Sequence, residues 1–289
     1  MESICTWFEA RFSPDVVLRI ATRGRLCSVT TPYQTIEVYD TLPFGRILVL
    51  DQVINVAERD EFIYHEMLCH VPLFVHPHPE SVLVVGGGDG GTVREAVKHN
   101  SVRHVELVEI DQAVVDVSRR YLPSVSGELD NPKVRITYED AAQFVKKTPH
   151  QFDVIIVDST DPVGAGAVLF SEDFYRDCRA LMDSHGILTA QSESPFFDPQ
   201  IVRSLYATAR SVFPVVRMYT AFVPSYVSGL WSFLFCSLSV DPVVQFHAER
   251  VMTAMLDLKY YSPEIHRASF VLPPFVWSVL NESSSSSPR

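Results

Sequence analysis

The chain is poor in cysteine and in positive charge, and it has no long apolar run. Its five cysteines (Cys5, Cys27, Cys69, Cys178 and Cys236) are odd in number, widely spaced and form no CxxC pair. That pattern speaks against a disulfide framework and against a cysteine zinc site. No apolar stretch approaches the roughly 18 residues that span a bilayer, so no membrane partner is expected. The first residues, Met1-Glu2-Ser3-Ile4-Cys5-Thr6-Trp7, lack a basic patch followed by an apolar core, and a secretory signal is not expected. Cytoplasmic location follows as the expectation. The 24 basic side chains are outnumbered by 35 acidic ones, giving a formal net charge of −11. Such a balance argues against a nucleic-acid partner, whose phosphates demand cations, and suits a cationic ligand. What remains is ordinary globular material: 289 residues, 47% hydrophobic and 20% charged, enough for one or two domains.

Two textures divide the chain. Before residue 60 lie short β-type runs at 16–20, 34–39 and 46–50, separated by turn-like Thr22-Arg23-Gly24 and Leu42-Pro43-Phe44-Gly45. They predict a small antiparallel β domain over residues 1–60. Glu58-Arg59-Asp60-Glu61 then opens a helical run, with acids in its first turn. After Pro79 apolar runs at 81–85, 104–110, 134–138, 153–158 and 186–191 alternate with helical stretches at 92–98, 112–121, 141–147 and 172–183. This alternation predicts a doubly wound α/β domain over residues 61–281 with a mostly parallel sheet. Runs at 218–222 and 231–238 would add antiparallel edge strands. His76-Pro77-His78-Pro79 reads as an interdomain linker rather than a ligand pair, and the serine-rich residues 282–289 as a disordered tail. The ten histidines offer no convincing metal-ligand constellation.

Glycine is also scarce, with 12 in all, yet five fall in Gly86-Gly87-Gly88-Asp89-Gly90-Gly91. The block follows a predicted strand and precedes a predicted helix, where open α/β sheets bind their ligands. It matches G-x-G-x-x-G, with Glu109 about 20 residues on, so a dinucleotide site is the first reading. Asp89 weakens it, because a carboxylate beside the loop repels pyrophosphate and suits a cationic ligand. A plain glycine turn with a surface acid is the bland alternative. Acids also sit at or just beyond successive strand ends: Asp89, Glu109, Asp140, Asp158 and then Asp161, in Asp158-Ser159-Thr160-Asp161-Pro162. In a parallel sheet all five fall on one edge. Any one of them taken alone is as well explained as a solvated loop carboxylate or a helix cap. Gathered together, they require a cation or hydrogen-bond donors among them.

These blocks resemble a known family. Gly86–Gly91, Val108-Glu109-Ile110-Asp111 and Asp158-Ser159-Thr160-Asp161-Pro162 look like the signature blocks of bacterial spermidine synthases, the polyamine aminopropyltransferases. Leu48-Val49-Leu50-Asp51, Glu58-Arg59-Asp60-Glu61-Phe62-Ile63-Tyr64-His65-Glu66 and Tyr260-Tyr261-Ser262-Pro263-Glu264-Ile265-His266 are similar to the same enzymes. The resemblance covers nearly the whole chain except the serine tail. It implies a Rossmann-like, methyltransferase-type fold and transfer of an aminopropyl group from decarboxylated S-adenosylmethionine to putrescine, giving spermidine and 5′-methylthioadenosine. By position, Gln34, Glu109, Asp140, Ala141 and Ala165 would hold the methylthioadenosine part and Asp89 would face the donor's ammonium. Asp158 would be the base, with Tyr64 as its partner. Tyr64, His65, Ser159, Thr160, Asp161, Gln191 and Tyr226 would line the polyamine channel, with Trp231 in its wall. The resemblance implies no metal and no cofactor, the donor being a co-substrate, and a homodimer or homotetramer. Ala165 stands where many members have proline, and Ala141 where glycine is frequent.

The chemistry follows from the groups. A sulfonium is already a good leaving group, whereas an amine near neutral pH is almost entirely ammonium and has no lone pair. A carboxylate that takes the proton during attack removes this obstacle, and holding amine, carbon and sulfur in line supplies further acceleration. Asp161 is expected to hold the acceptor's other ammonium, with Glu193 or a water as helper. Two further readings share the scaffold. A methyltransferase would have to place the methionine carboxylate near Asp89, which repels it. A noncatalytic binder has no need of the Asp158–Tyr64 pair.

Overall fold

A computed structural model of the chain describes residues 6–13, 15–160 and 164–281. Asp161 and the serine-rich 282–289 therefore lie outside the described residues, as does the side chain of Ala165.

The chain from Thr6 to Ala57 carries a five-stranded antiparallel sheet in sequence order: β1 (Thr6–Ser13), β2 (Val16–Thr30), β3 (Thr35–Thr41), β4 (Gly45–Leu50) and β5 (Val53–Ala57). Strands β1 and β5 had no counterpart among the expected runs. Thr22-Arg23-Gly24, expected as a turn, lies within the long β2. There Gly24 has φ +144°, and register shifts at Thr22/Gly24 and Arg25/Cys27 absorb the extra residues as bulges. In β3 the period of two buries Ile36 and Val38, which pack with Val114, Val117, Leu122 and Val125. That contact seats the small sheet on the helical segment 112–126 of the α/β unit.

Helix α1 (Glu61–Val75) begins three residues after the expected start at Glu58. Glu58 instead accepts from the Arg46 backbone N–H at 2.7 Å. Asp60 turns its carboxylate to Ser225, accepting from the backbone N–H at 2.6 Å and from the hydroxyl at 3.0 Å. The helix is buried almost all round and packs on the large sheet, so His76-Pro77-His78-Pro79 connects two elements of the α/β unit rather than two domains.

The large sheet contains β6 (Ser81–Gly86), β7 (His104–Glu109), β8 (Val134–Tyr138), β9 (Val154–Asp158), β10 (Ile187–Gln191), β11 (Val215–Phe222) and β12 (Leu230–Ser237). Their order is β11-β12-β10-β9-β6-β7-β8. From β10 to β8 the pairing is parallel, and β11 and β12 add the antiparallel edge. Intervening helices are α2 (Gly91–Val97), α3 (Gln112–Tyr121), α4 (Pro123–Ser126), α5 (Ala141–Lys147), α6 (Glu172–Ala180) and α7 (Pro199–Val212), with α8 (Ala248–Ala254), α9 (Pro263–Ser269) and α10 (Pro274–Asn281) after the last strand. The winding reverses between β6 and β9, where Gly86 pairs with Asp158. A ligand crevice belongs at such a switch point, beyond the carboxyl ends of the strands.

Candidate active site

A cavity of about 620 Å³ opens at this switch point and is roofed by the small sheet. Gln34, Tyr64, His65, Asp89, Glu109, Asp140, Ala141, Asp158, Ser159, Thr160, Gln191, Tyr226 and Trp231 all line it. Of the described side chains assigned to the site in the sequence, Glu193 alone is not on the cavity wall; it lies behind Gln191. Around Ala165 the chain forms a 3-10 turn (Gly164–Phe170), from which Gly166, Val168 and Leu169 reach the cavity.

The glycine loop makes close approach possible. Gly87 has φ +69°, and a Cβ there would stand 2.7 Å from Asp158 Oδ2. A Cβ on Gly91 would fall 2.2 Å from the His65 ring. Glycine is therefore required twice over, once for backbone conformation and once for space.

Asp158 ends β9 with its carboxylate buried and both oxygens engaged. Tyr64 donates its hydroxyl to Oδ1 at 2.9 Å and Thr92 donates to Oδ2 at 2.7 Å. Burial and the nearby Asp89 push the Asp158 carboxyl above its ordinary range, against the pull of His65 and the two hydroxyls. Thr92 was not anticipated; its only sequence signal is its place directly after the glycine loop.

Asp89 Oδ1 accepts from the Gly91 N–H at 2.8 Å and lies 3.2 Å from His65 Nε2. Burial opposes the Asp89 charge, but His65 and the Gly91 N–H outweigh it and hold the carboxyl below its usual range. His65 Nδ1 in turn meets Glu61 at 2.5 Å. Burial likewise opposes the imidazolium, yet Asp89 and Glu61 raise the ring well above its ordinary range. Ligand atoms of His65, Asp89 and Asp158 lie within 4.8 Å of one another, a metal-like grouping that was not anticipated. Both ring nitrogens already face carboxylates, Nδ1 toward Glu61 at 2.5 Å and Nε2 toward Asp89 at 3.2 Å.

On the β7 side of the cavity, Glu109 ends the strand and accepts from the Gly88 N–H at 3.2 Å and the Asp111 N–H at 2.9 Å. Burial pushes its carboxyl up to about 7 despite those bonds. Asp140 caps α5, accepting from the Ala142 N–H at 2.8 Å, so the helix-cap reading holds for this cavity-lining residue. Gln34 donates to Asp111 Oδ2 at 3.2 Å, and Thr31 donates to the same oxygen at 2.7 Å. Asp111 also caps α3 and thereby joins the two sheets at the cavity rim.

At the opposite end, Tyr226 donates to the Asn55 carbonyl at 2.9 Å and stands edge-on to Trp231, ring centres 4.6 Å apart. Among the described residues nothing accepts from the buried Trp231 indole N–H. Gln191 donates to Glu193 at 3.1 Å and accepts from the Glu193 N–H at 3.1 Å. Glu193 adopts φ +68°, a conformation unusual for a residue with a side chain.

Comparison with known proteins agrees with this arrangement. Residues 61–247 match the family described as "Spermine/spermidine synthase domain", and residues 6–58 match "Spermidine synthase tetramerisation domain". A polyamine aminopropyltransferase of Thermoanaerobacter sp. (strain X514) is 43% identical over 276 residues, 96% of this chain and 99% of that one. The polyamine aminopropyltransferase of Bacillus subtilis (strain 168) is 41% identical over 270 residues, 93% of this chain and 97% of its own. A crystal structure of spermidine synthase in complex with the transition state analogue AdoDATO superposes with a TM-score of 0.93 at 40% identity, over 95% of this chain and 94% of that one. The spermidine synthase of Thermotoga maritima gives 0.90 at 38% identity, with the same coverage. Across both sheets and the cavity between them, the chain belongs to the spermine/spermidine synthase family.

Proposed function

We propose that this chain is a spermidine synthase, transferring the aminopropyl group of decarboxylated S-adenosylmethionine to putrescine and releasing 5′-methylthioadenosine. The observation that carries the reading is the buried Asp158 carboxylate, held by Tyr64 and Thr92 on the wall of a cavity that also holds the acid Asp89. Glu109, Asp140, Ala141 and Gln34 take the nucleoside, and Asp89 takes the donor's ammonium. The acceptor chain runs between Tyr64, Tyr226 and Trp231 toward Gln191, with Ser159 and Thr160 beside it.

In the reaction the amine nitrogen forms a bond to the aminopropyl carbon as the carbon–sulfur bond breaks. The bonding pair returns to sulfur, which neutralises the sulfonium. One proton passes from the acceptor's ammonium to Asp158, freeing the nitrogen lone pair for the attack; the raised basicity of Asp158 suits this role. No step calls for a metal or cofactor. A methyltransferase reading would bring the methionine carboxylate beside an ionised Asp89. We place the protein in the cytoplasm as a homodimer or homotetramer assembled through the small sheet, given the name of the family match to residues 6–58.

Product analysis tests this. Incubation with decarboxylated S-adenosylmethionine and a panel of putrescine, cadaverine and spermidine should give spermidine and methylthioadenosine fastest with putrescine. No aminopropylated product, or spermine as the main product, would contradict it.

A further inference from the structure

Asp89 and Asp158 both carry chemistry, and both must be ionised to do so. Two buried carboxylates in one crevice do not both ionise unless a cation lies with them. Before any substrate arrives, the cation in reach is His65, itself buried and 3.2 Å from Asp89. Its other ring nitrogen rests on Glu61, one helical turn earlier on α1. Glu61 cannot swing away, because Arg94 grips both of its oxygens at 2.9 Å. The groups facing His65 are thus Glu61 and Tyr64 from α1, Asp89 from the glycine loop, the Gly91 end of α2 with Arg94 behind Glu61, and Asp158 from β9.

We propose that Glu61 is a positioning residue for the reaction: through His65 it keeps a fixed positive charge beside Asp89 and Asp158, so that both carboxylates stay ionised in the empty site. Glu61 is not among the cavity-lining residues and acts only through the imidazole. The proposal rests on the aminopropyl-transfer reading for its kinetic consequence, but the protonation of His65 does not depend on which substrates are used.

Glu61→Gln tests the idea with near-constant shape. Glutamine keeps the shape but carries no charge, so the ring loses one of its two flanking carboxylates and holds its proton less strongly. Arg94 keeps Glu95 at 2.8 Å and the Ser124 carbonyl at 3.0 Å, so its own charge remains paired. As that positive charge weakens, Asp89 and Asp158 hold a shared proton to higher pH. The acid limb of kcat/KM for the donor should move up by about one pH unit, which lowers activity about tenfold on that limb and restores it at higher pH. A purely structural defect would lower activity equally at all pH values. The second readout is nitrogen NMR of the His65 ring in the wild-type protein, which requires neither turnover nor the variant. Both ring nitrogens should be protonated at neutral pH in the wild type, and in Glu61→Gln the ring should release its proton at a lower pH. A neutral His65 at pH 7 in the wild type, or an acid limb that does not move in the variant, would overturn the proposal. A protonated ring in a protein that gives no aminopropylated product would sink the functional reading while leaving the Glu61–His65 assignment standing.

Discussion

Glu109 illustrates how one side chain serves the fold and its proposed nucleoside role on different terms. Its carboxylate accepts from two loop N–H groups, which favours the charge, while near-complete burial disfavours it more strongly. With the carboxyl pushed up to about 7, roughly half the empty protein carries a proton there at neutral pH. Ribose hydroxyls donate to the ionised form, so nucleoside binding should strengthen as pH rises through 7 and level off above it. For a single proton the affinity for methylthioadenosine should rise about tenfold between pH 6 and pH 8. Calorimetry across that range checks this, and a flat profile would mean that Glu109 is already ionised in the empty site. Legibility varied sharply among the residues around it. Strand-end acids such as Glu109 and Asp158 announce themselves, because parallel strands place their ends on one edge. Thr92 and Glu61 do not, since a hydroxyl after a glycine loop and an acid four residues before a histidine occur everywhere. Only the folded geometry distinguishes them.

Among the elements, α2 and the loop before it are the most constrained. Gly91 opens the helix, and His65 from α1 fills the space where its side chain would be. Alanine there would improve helix propensity by at most about 1 kcal/mol. Its methyl would also collide with a buried ring, and overpacking of this kind costs about 1–3 kcal/mol. The collision should win. Gly91→Ala is therefore expected to lower the melting temperature and to reduce kcat/KM about tenfold or more by displacing His65 from Asp89. A thermal melt paired with steady-state kinetics measures both, and an alanine variant as stable and active as the wild type would show that the ring can shift freely. Element boundaries were less legible than element types. The helical pattern correctly places a helix after Glu58, but Glu58 bonds the Arg46 N–H, and Asp60, at the N-cap position, turns its carboxylate to Ser225 instead of capping the first turn. Such long-range partners leave no local mark. The bulged β2 concealed itself in the same way, because Gly24 reads as a turn until its neighbour strands are known.

For the molecule as a whole, the two sheets are joined where the chemistry is proposed to occur. The small sheet supplies Gln34 and Asn55 to the cavity, and the large one supplies the acids. Asp60 at the head of α1 ties the Tyr226 segment to the same helix that presents Tyr64 and His65. Composition foreshadowed this only in outline: the excess of acid suits a cationic ligand, but it does not say that the ligand site lies between sheets. The order of motifs along the chain carried far more, because the blocks at Gly86, Val108 and Asp158 fall at the ends of β6, β7 and β9 around the switch point. What that arrangement is proposed to accomplish is removal of a proton from an attacking amine. The measurement that bears most directly on this is the single-turnover rate of Asp158→Asn with decarboxylated S-adenosylmethionine and putrescine, alongside its affinity for methylthioadenosine. Asparagine keeps the size and one acceptor oxygen but cannot take the proton. The rate should fall by about 10²–10⁴-fold with nucleoside affinity little changed; a rate near that of the wild type at pH 7 would contradict the assignment of Asp158 as the base.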